Sequence, residues 1–149
     1  MIYGLAMAAF FEETARLVFF KWLEKKRSLE KADALAYGLG HGGLELIFLA
    51  ENMLKTIQSL SVWQIYLLGF ERILALGFQL LLTVWVYQAV RQKKWIYLLA
   101  AYGLHAFFDL APSLSQVGWL TNPVLVEVIL ALELVLVAYG TKEIFCKKS

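Results

Sequence analysis

Charge is what this sequence has least of. Asp, Glu, Lys and Arg make up 17% of its 149 residues, apolar residues make up 60%, and mean hydropathy is +0.64. A soluble domain carries about a quarter charged residues. The composition therefore excludes an ordinary soluble fold and predicts an all-α class, a polytopic transmembrane helix bundle forming one domain over residues 1–149. Cysteine is nearly absent. Cys146 stands alone in a polar tail, which excludes an intrachain disulfide framework and a thiolate metal cluster and leaves a free thiol or a lipid attachment point. Proline is confined to Pro112 and Pro123. The first apolar stretch lacks a basic leader and a small-residue cleavage site and carries charges in its middle, so it is expected to be a mature membrane span rather than a signal peptide. Internal repeats, low-complexity tracts and a nucleic-acid-binding patch are also missing, and no nucleic-acid partner is expected.

Five apolar segments can be read along the chain, at about residues 2–22, 32–54, 61–90, 95–114 and 124–139. Spans of about 20 residues match the bilayer core, so about five crossings are expected, the third long enough to tilt. Met1 stands at the edge of the first segment, which raises the expectation of upstream helices outside this chain. Lys25, Lys26, Arg27 and Lys31 fill the first loop, Arg91, Lys93 and Lys94 the third, and Lys142, Lys147 and Lys148 the tail. The second loop holds Lys55 alone, and the loop over 111–123 has no basic residue. The positive-inside rule puts the basic loops and the C-terminus in the cytoplasm and the N-terminus outside. Trp22, Trp63, Trp95 and Trp119 fall near span ends, where interfacial aromatics belong.

The few ionisable residues inside the apolar segments are clustered. They are Glu12-Glu13-Thr-Ala-Arg16, His41-Gly-Gly-Leu-Glu45, Glu71-Arg72 and His105-Ala-Phe-Phe-Asp109. Glu13, His41 and His105 each lie nine or ten residues from the basic end of their span, roughly 14 Å deep at 1.5 Å per residue. Three helices thus bring an acid and two imidazoles to one level near mid-membrane. Charge is expensive there and marks functional interiors. The set suits activation of water, with a buried glutamate as general base and two imidazoles with nearby carboxylates to hold a metal or to donate to an oxyanion. Arg16 is within a turn of both Glu12 and Glu13. Spacing alone does not say which acid it fixes and which acts.

Glu12-Glu13-x-x-Arg16, Tyr37-x-x-x-His41 and His105-x-x-x-Asp109, in that order on successive helices, resemble the motifs of the CAAX-protease and bacteriocin-processing superfamily of intramembrane proteases. The pattern His41-Gly-Gly-x-Glu45, the Phe70-Glu71-Arg72 triplet and the short Glu-Glu-x-x-Arg spacing are most similar to its YhfC-like metalloproteases. The resemblance implies Glu12 as the water-activating acid and Glu13 as the Arg16-paired neighbour. It implies His41 as a metal ligand or second activating group, and His105 with Asp109 as further ligands or an oxyanion pocket. Arg16, Glu45, Glu71 and Arg72 would then support the site. It further implies zinc as cofactor, with a metal-independent glutamate mechanism as the alternative, a membrane-associated peptide or protein as substrate, and the bacterial plasma membrane as location. Asp109 stands where the superfamily has Asn or Asp, which favours metal ligation over amide donation.

Plainer roles exist for each feature. Glu13 and Arg16 suit a structural ion pair, and a lone membrane histidine can be interhelical glue. Ala34, Gly38 and Gly42 form a small-residue stripe for helix packing. Phe19, Phe20, Phe107 and Phe108 suit packing or lipid contact. Glu71 and Arg72, adjacent and about 100° apart on a helix, are expected to pair with charges elsewhere, Glu133 to pair with Arg72 or Arg16 or to be protonated, and Glu127 to be solvated. A proton- or cation-coupled transporter and a non-catalytic scaffold of the same fold are the rival functions. Against transport stands the expectation of unbroken helices.

Overall fold

The computed structural model describes residues 2–146. Met1, Lys147 and Lys148 lie outside the described residues, as do the side chains of Ile2, Phe145 and Cys146, and with them the lipid-attachment reading. The fold is an all-α bundle. Helix α1 is Ile2–Glu24, α2 Lys31–Thr56, α3 Val62–Arg91, α4 Trp95–Phe108, α5 Leu110–Gln116 and α6 Pro123–Cys146, with a 3₁₀ turn at Ile57–Ser59.

Local chemistry sets the helix ends. Ser61 caps α3 by accepting from the backbone N–H of Gln64, whose side chain returns to the Ser61 backbone at 2.8 Å, a capping box. Asn122 Oδ1 accepts from the N–H groups of Val124 and Leu125 at 3.0 and 3.3 Å, with Pro123 in the first helical position, where its missing N–H costs nothing. At the end of α5 the chain turns through Gly118 at φ +77°, and Trp119 N–H reaches back to the carbonyl of Leu114, an ending that favours glycine.

Helix α3 is the axis. It packs against α1, α2, α4 and α6, and its second half supplies most of the core: Phe78, Leu82, Val86, Tyr87 and Val90, joined by Phe20, Leu98, Ala101, Phe108 and Leu130. Phe78 and Phe108 stack with centroids 3.9 Å apart. The small-residue stripe on α2 faces α3. Ala34, Gly38 and Gly42 are buried; a Cβ at Gly38 would lie 3.2 Å from Leu80 Cα, and one at Gly42 would lie 2.7 Å from Leu76 Cδ1. Close approach to the α3 backbone thus favours glycine at Gly38, while a side chain at Gly42 would have to displace the end of Leu76.

Two expectations change. Only α3 and residues Pro123–Ile144 of α6 are long and apolar enough by themselves to cross a membrane among the described residues. The cause is local. Helix α1 carries Glu12, Glu13 and Arg16, α2 carries Asp33, His41, Glu45 and Glu51, and α4 has 14 residues, about 21 Å. The residues that make the bundle chemically interesting are those that lower its hydropathy. Secondly, a helix is interrupted. The fourth segment breaks at Asp109 into α4 and α5, three residues before Pro112, whose missing N–H leaves the Phe108 carbonyl without its helical partner. The stretch expected as loop from residue 111 is helical to Gln116.

The outer surface is apolar. Leu44, Ile47 and Phe48 on α2 and Leu132, Val135, Leu136 and Tyr139 on α6 are exposed, as are Trp22, Trp63, Trp95 and Trp119 near element ends. A water-soluble protein does not expose patches of this extent.

Candidate active site

The site lies where α1, α2, α3 and α4 converge. Glu13 is fully buried on α1. One of its oxygens, Oε1, accepts from Arg16 Nη1 at 2.6 Å and pairs with His105 Nδ1 at 2.6 Å. Arg16, also fully buried, donates through Nη2 to Gln79 Oε1. The i,i+3 spacing on α1 brings acid and guanidinium together, and α4 delivers the histidine from 92 residues away.

With Nδ1 held by Glu13, His105 turns Nε2 towards two other carboxylates. Glu12 Oε2 lies 3.8 Å from it and Asp109 Oδ2 3.5 Å. Glu12 also meets His41 Nε2 at 3.0 Å. The His41 ring lies nearly parallel to that of Tyr37, one turn earlier, at 6.0 Å, and Tyr37 rests on Phe19 and Phe20 of α1. Glu12 and His41 are about a third and a quarter exposed, whereas Glu13 and His105 are sealed.

Gln79 was invisible to motif reading. It lies on α3, 7% exposed. Its Nε2 donates to Glu12 Oε2 at 3.3 Å and to Glu45 Oε2 at 3.1 Å while its Oε1 accepts from Arg16. One amide thus joins three of the charged residues singled out in the sequence. The available signal was a glutamine inside the apolar run 73–82 of α3. Glu45 is therefore tied to Gln79. Its i,i+4 relation to His41 produces no direct bond between them among the described residues.

Glu71 and Arg72 bond to each other, contrary to the expectation of partners elsewhere; rotation of the two side chains about their own stems overcomes the 100° between them. They line a cavity of about 300 Å³ together with Glu45, Gln79, His105 and Asp109. Glu127, expected in solvent, is 6% exposed, because α6 turns that face to α3 and α5. Glu133 Oε2 is buried without a hydrogen-bond partner, so neither Arg72 nor Arg16 bonds to that atom.

The donors are of the kind that zinc accepts. Nitrogen and oxygen ligands at 2.0–2.1 Å from a tetrahedral zinc lie about 3.3 Å apart. Of the candidate ligands His41, His105 and Asp109, His105 Nε2 and Asp109 Oδ2 lie 3.5 Å apart. The Glu13–His105 bond is the carboxylate support that zinc-binding histidines commonly have. No group of three or more His, Cys, Asp and Glu side chains among the described residues forms a ready-made metal cage.

The model of the YhfC intramembrane metalloprotease family matches residues 1–51 and 49–130. The chain belongs to this family. An uncharacterized membrane protein YhfC of Bacillus subtilis (strain 168) is 33% identical over 170 residues, an alignment that takes in 93% of this chain and 66% of that protein. The chain thus spans just under two thirds of that relative's length. No solved structure matches it. YhfC membership, the two membrane-length helices and the apolar exterior together make the chain an integral membrane protein. Its buried His–Glu cluster is consistent with a catalytic centre.

Proposed function

We propose that the chain is an intramembrane peptidase in which Glu12 activates the attacking water. The carrying observation is the division of labour between two adjacent glutamates. Glu13 is buried and held by Arg16 and His105. Glu12 is partly open and touches His41. A general base must reach both substrate and water, and Glu12 is the one with room to do so. Glu12 takes a proton from water as its oxygen attacks the peptide carbonyl, then returns the proton to the leaving amine. His41 orients the Glu12 carboxylate. Glu13 fixes the tautomer of His105 so that Nε2 is presented to the reacting centre. Zinc, held by His41, His105 and Asp109, would supply a Lewis acid. Arg16, Gln79 and Glu45 hold the acids in place, and Glu71 with Arg72 borders the cavity.

The substrate is a membrane-associated peptide or protein. All five longer helices cross the bilayer, α4 with the help of α5, with the basic loops and C-terminus in the cytoplasm and the N-terminus outside. Helices that cost too much alone are stabilised by pairing their charges with one another.

Glu12→Gln, His41→Ala and His105→Ala should each lower peptide cleavage by the detergent-solubilised protein at least about 100-fold while circular dichroism stays helical. Cleavage retained by all three would sink the proposal. Metal analysis should find about one zinc per chain, absent from His41→Ala and His105→Ala; a well-folded, active, zinc-free protein would leave the glutamate mechanism without metal. One observation favours a second reading. His105 and Asp109, 3.5 Å apart where α4 meets α5, are a pair of neighbouring ionisable groups of the kind that relays protons. Proton flux into liposomes that requires His105 and Asp109, without cleavage, would support transport.

A further inference from the structure

A second cavity, of about 710 Å³, adjoins the first and shares Leu49, Glu71, Arg72, Pro112 and Gln116 with it. Most of its surface is apolar; Asn52, Thr56, Gln64, Ser115 and Gln116 add polar groups, and Glu71, Arg72 and Glu127 are its charged residues. Glu71 and Arg72 are bonded to each other there and neutralise one another. Glu127 stands within electrostatic reach of both. Its side chain is nine-tenths buried, it lines the same cavity, and its Oε2 has no hydrogen-bond partner. A buried carboxyl oxygen without a partner is costly, so the arrangement is incomplete as it stands.

We propose that Glu127, with the Glu71–Arg72 pair, forms a subsite that takes one lysine or arginine side chain of a peptide. This rests on the peptidase reading for the peptide nature of the ligand and adds a sequence preference to it. Three kinds of occupant can be compared. An anionic group would meet two carboxylates and would have to strip Arg72 from Glu71. An apolar group would leave Glu127 Oε2 unpartnered. A basic side chain bonds to Glu127 once its carboxyl turns toward the cavity, keeps the Glu71–Arg72 pair intact and lays its methylene stem against the apolar lining. Because the two cavities share Glu71 and Arg72 as lining residues, a peptide anchored at Glu127 lies beside the space bordered by His105 and Asp109.

The test uses the full chain in detergent and fluorescein-labelled Leu/Ala-rich peptides in which lysine, norleucine or glutamate is walked through successive positions. Fluorescence anisotropy should show, at one register, lysine peptides binding about tenfold tighter than norleucine ones, with glutamate weakest. Glu127→Gln should bring the lysine peptide down to the norleucine level. Glu127→Lys should invert the order and place glutamate first, an outcome that loss of fold cannot mimic. Equal affinity for lysine and norleucine at every register, or a lysine preference intact in Glu127→Gln, overturns the subsite. Cleavage of the same peptides is read separately by mass spectrometry. Lysine-selective binding without cleavage leaves the subsite standing and overturns the peptidase; cleavage without lysine preference does the reverse.

Discussion

Glu12 and Glu13 are neighbours in sequence with opposite obligations. Glu13 closes a buried network, and truncating it leaves Arg16 and His105 without their shared acceptor. Glu13→Ala should cost about 3–5 kcal/mol of stability, the usual consequence of orphaning a buried charge. Glu12→Ala should cost much less, because its carboxylate is partly open, yet it should remove activity. Unfolding in mixed micelles, measured beside cleavage, separates the two; equal destabilisation by both variants would contradict the division. The acids, histidines and Arg16 were legible in the sequence because ionisable residues are conspicuous among apolar ones. Gln79 was not, since an uncharged amide carries no such signal and its partners come from two other helices. Glu127 was misread for another reason: counting depth along a helix says nothing about which face is covered.

At the scale of elements, α2 pairs glycines of two kinds. Gly38 and Gly42 face α3, whereas a Cβ on Gly40 or Gly43 would meet nothing within 4 Å. Gly38→Ala should therefore destabilise the bundle by about 1–3 kcal/mol through overpacking against the α3 backbone. Gly40→Ala should be neutral or gain up to about 1 kcal/mol from helix propensity. Thermal unfolding in detergent decides this, and equal shifts for both would mean that α2 does not pack as described. Helix positions were legible from the apolar runs, and the small-residue stripe foretold its own packing face. The interruption at Asp109 was missed because Pro112 was read as belonging to a loop, when proline near a helix start is tolerated.

For the whole molecule, the alternation of basic and charge-poor loops makes a direct prediction. In a Cys146→Ser background, cysteines placed at Gln58 and Gly118 should react with an impermeant maleimide applied outside intact cells, and a cysteine at Ser28 only after lysis. The opposite pattern would reverse the orientation. Orientation is inferred from charge because it is a property of loops, and the labelling pattern tests it; the number of crossings was not settled by hydropathy, since site-forming charges lower it. Helices α1 and α2 are each packed on α3, and they meet across their own seam through Tyr37 against Phe19 and Phe20 and through the Glu12–His41 bond. Both helices would stay anchored on α3 if they parted at that seam. If substrates enter there, encounter is a two-dimensional search. Turnover then follows the number of substrate molecules per lipid rather than per litre, and adding empty lipid to a reconstituted sample slows the reaction with every solution concentration unchanged.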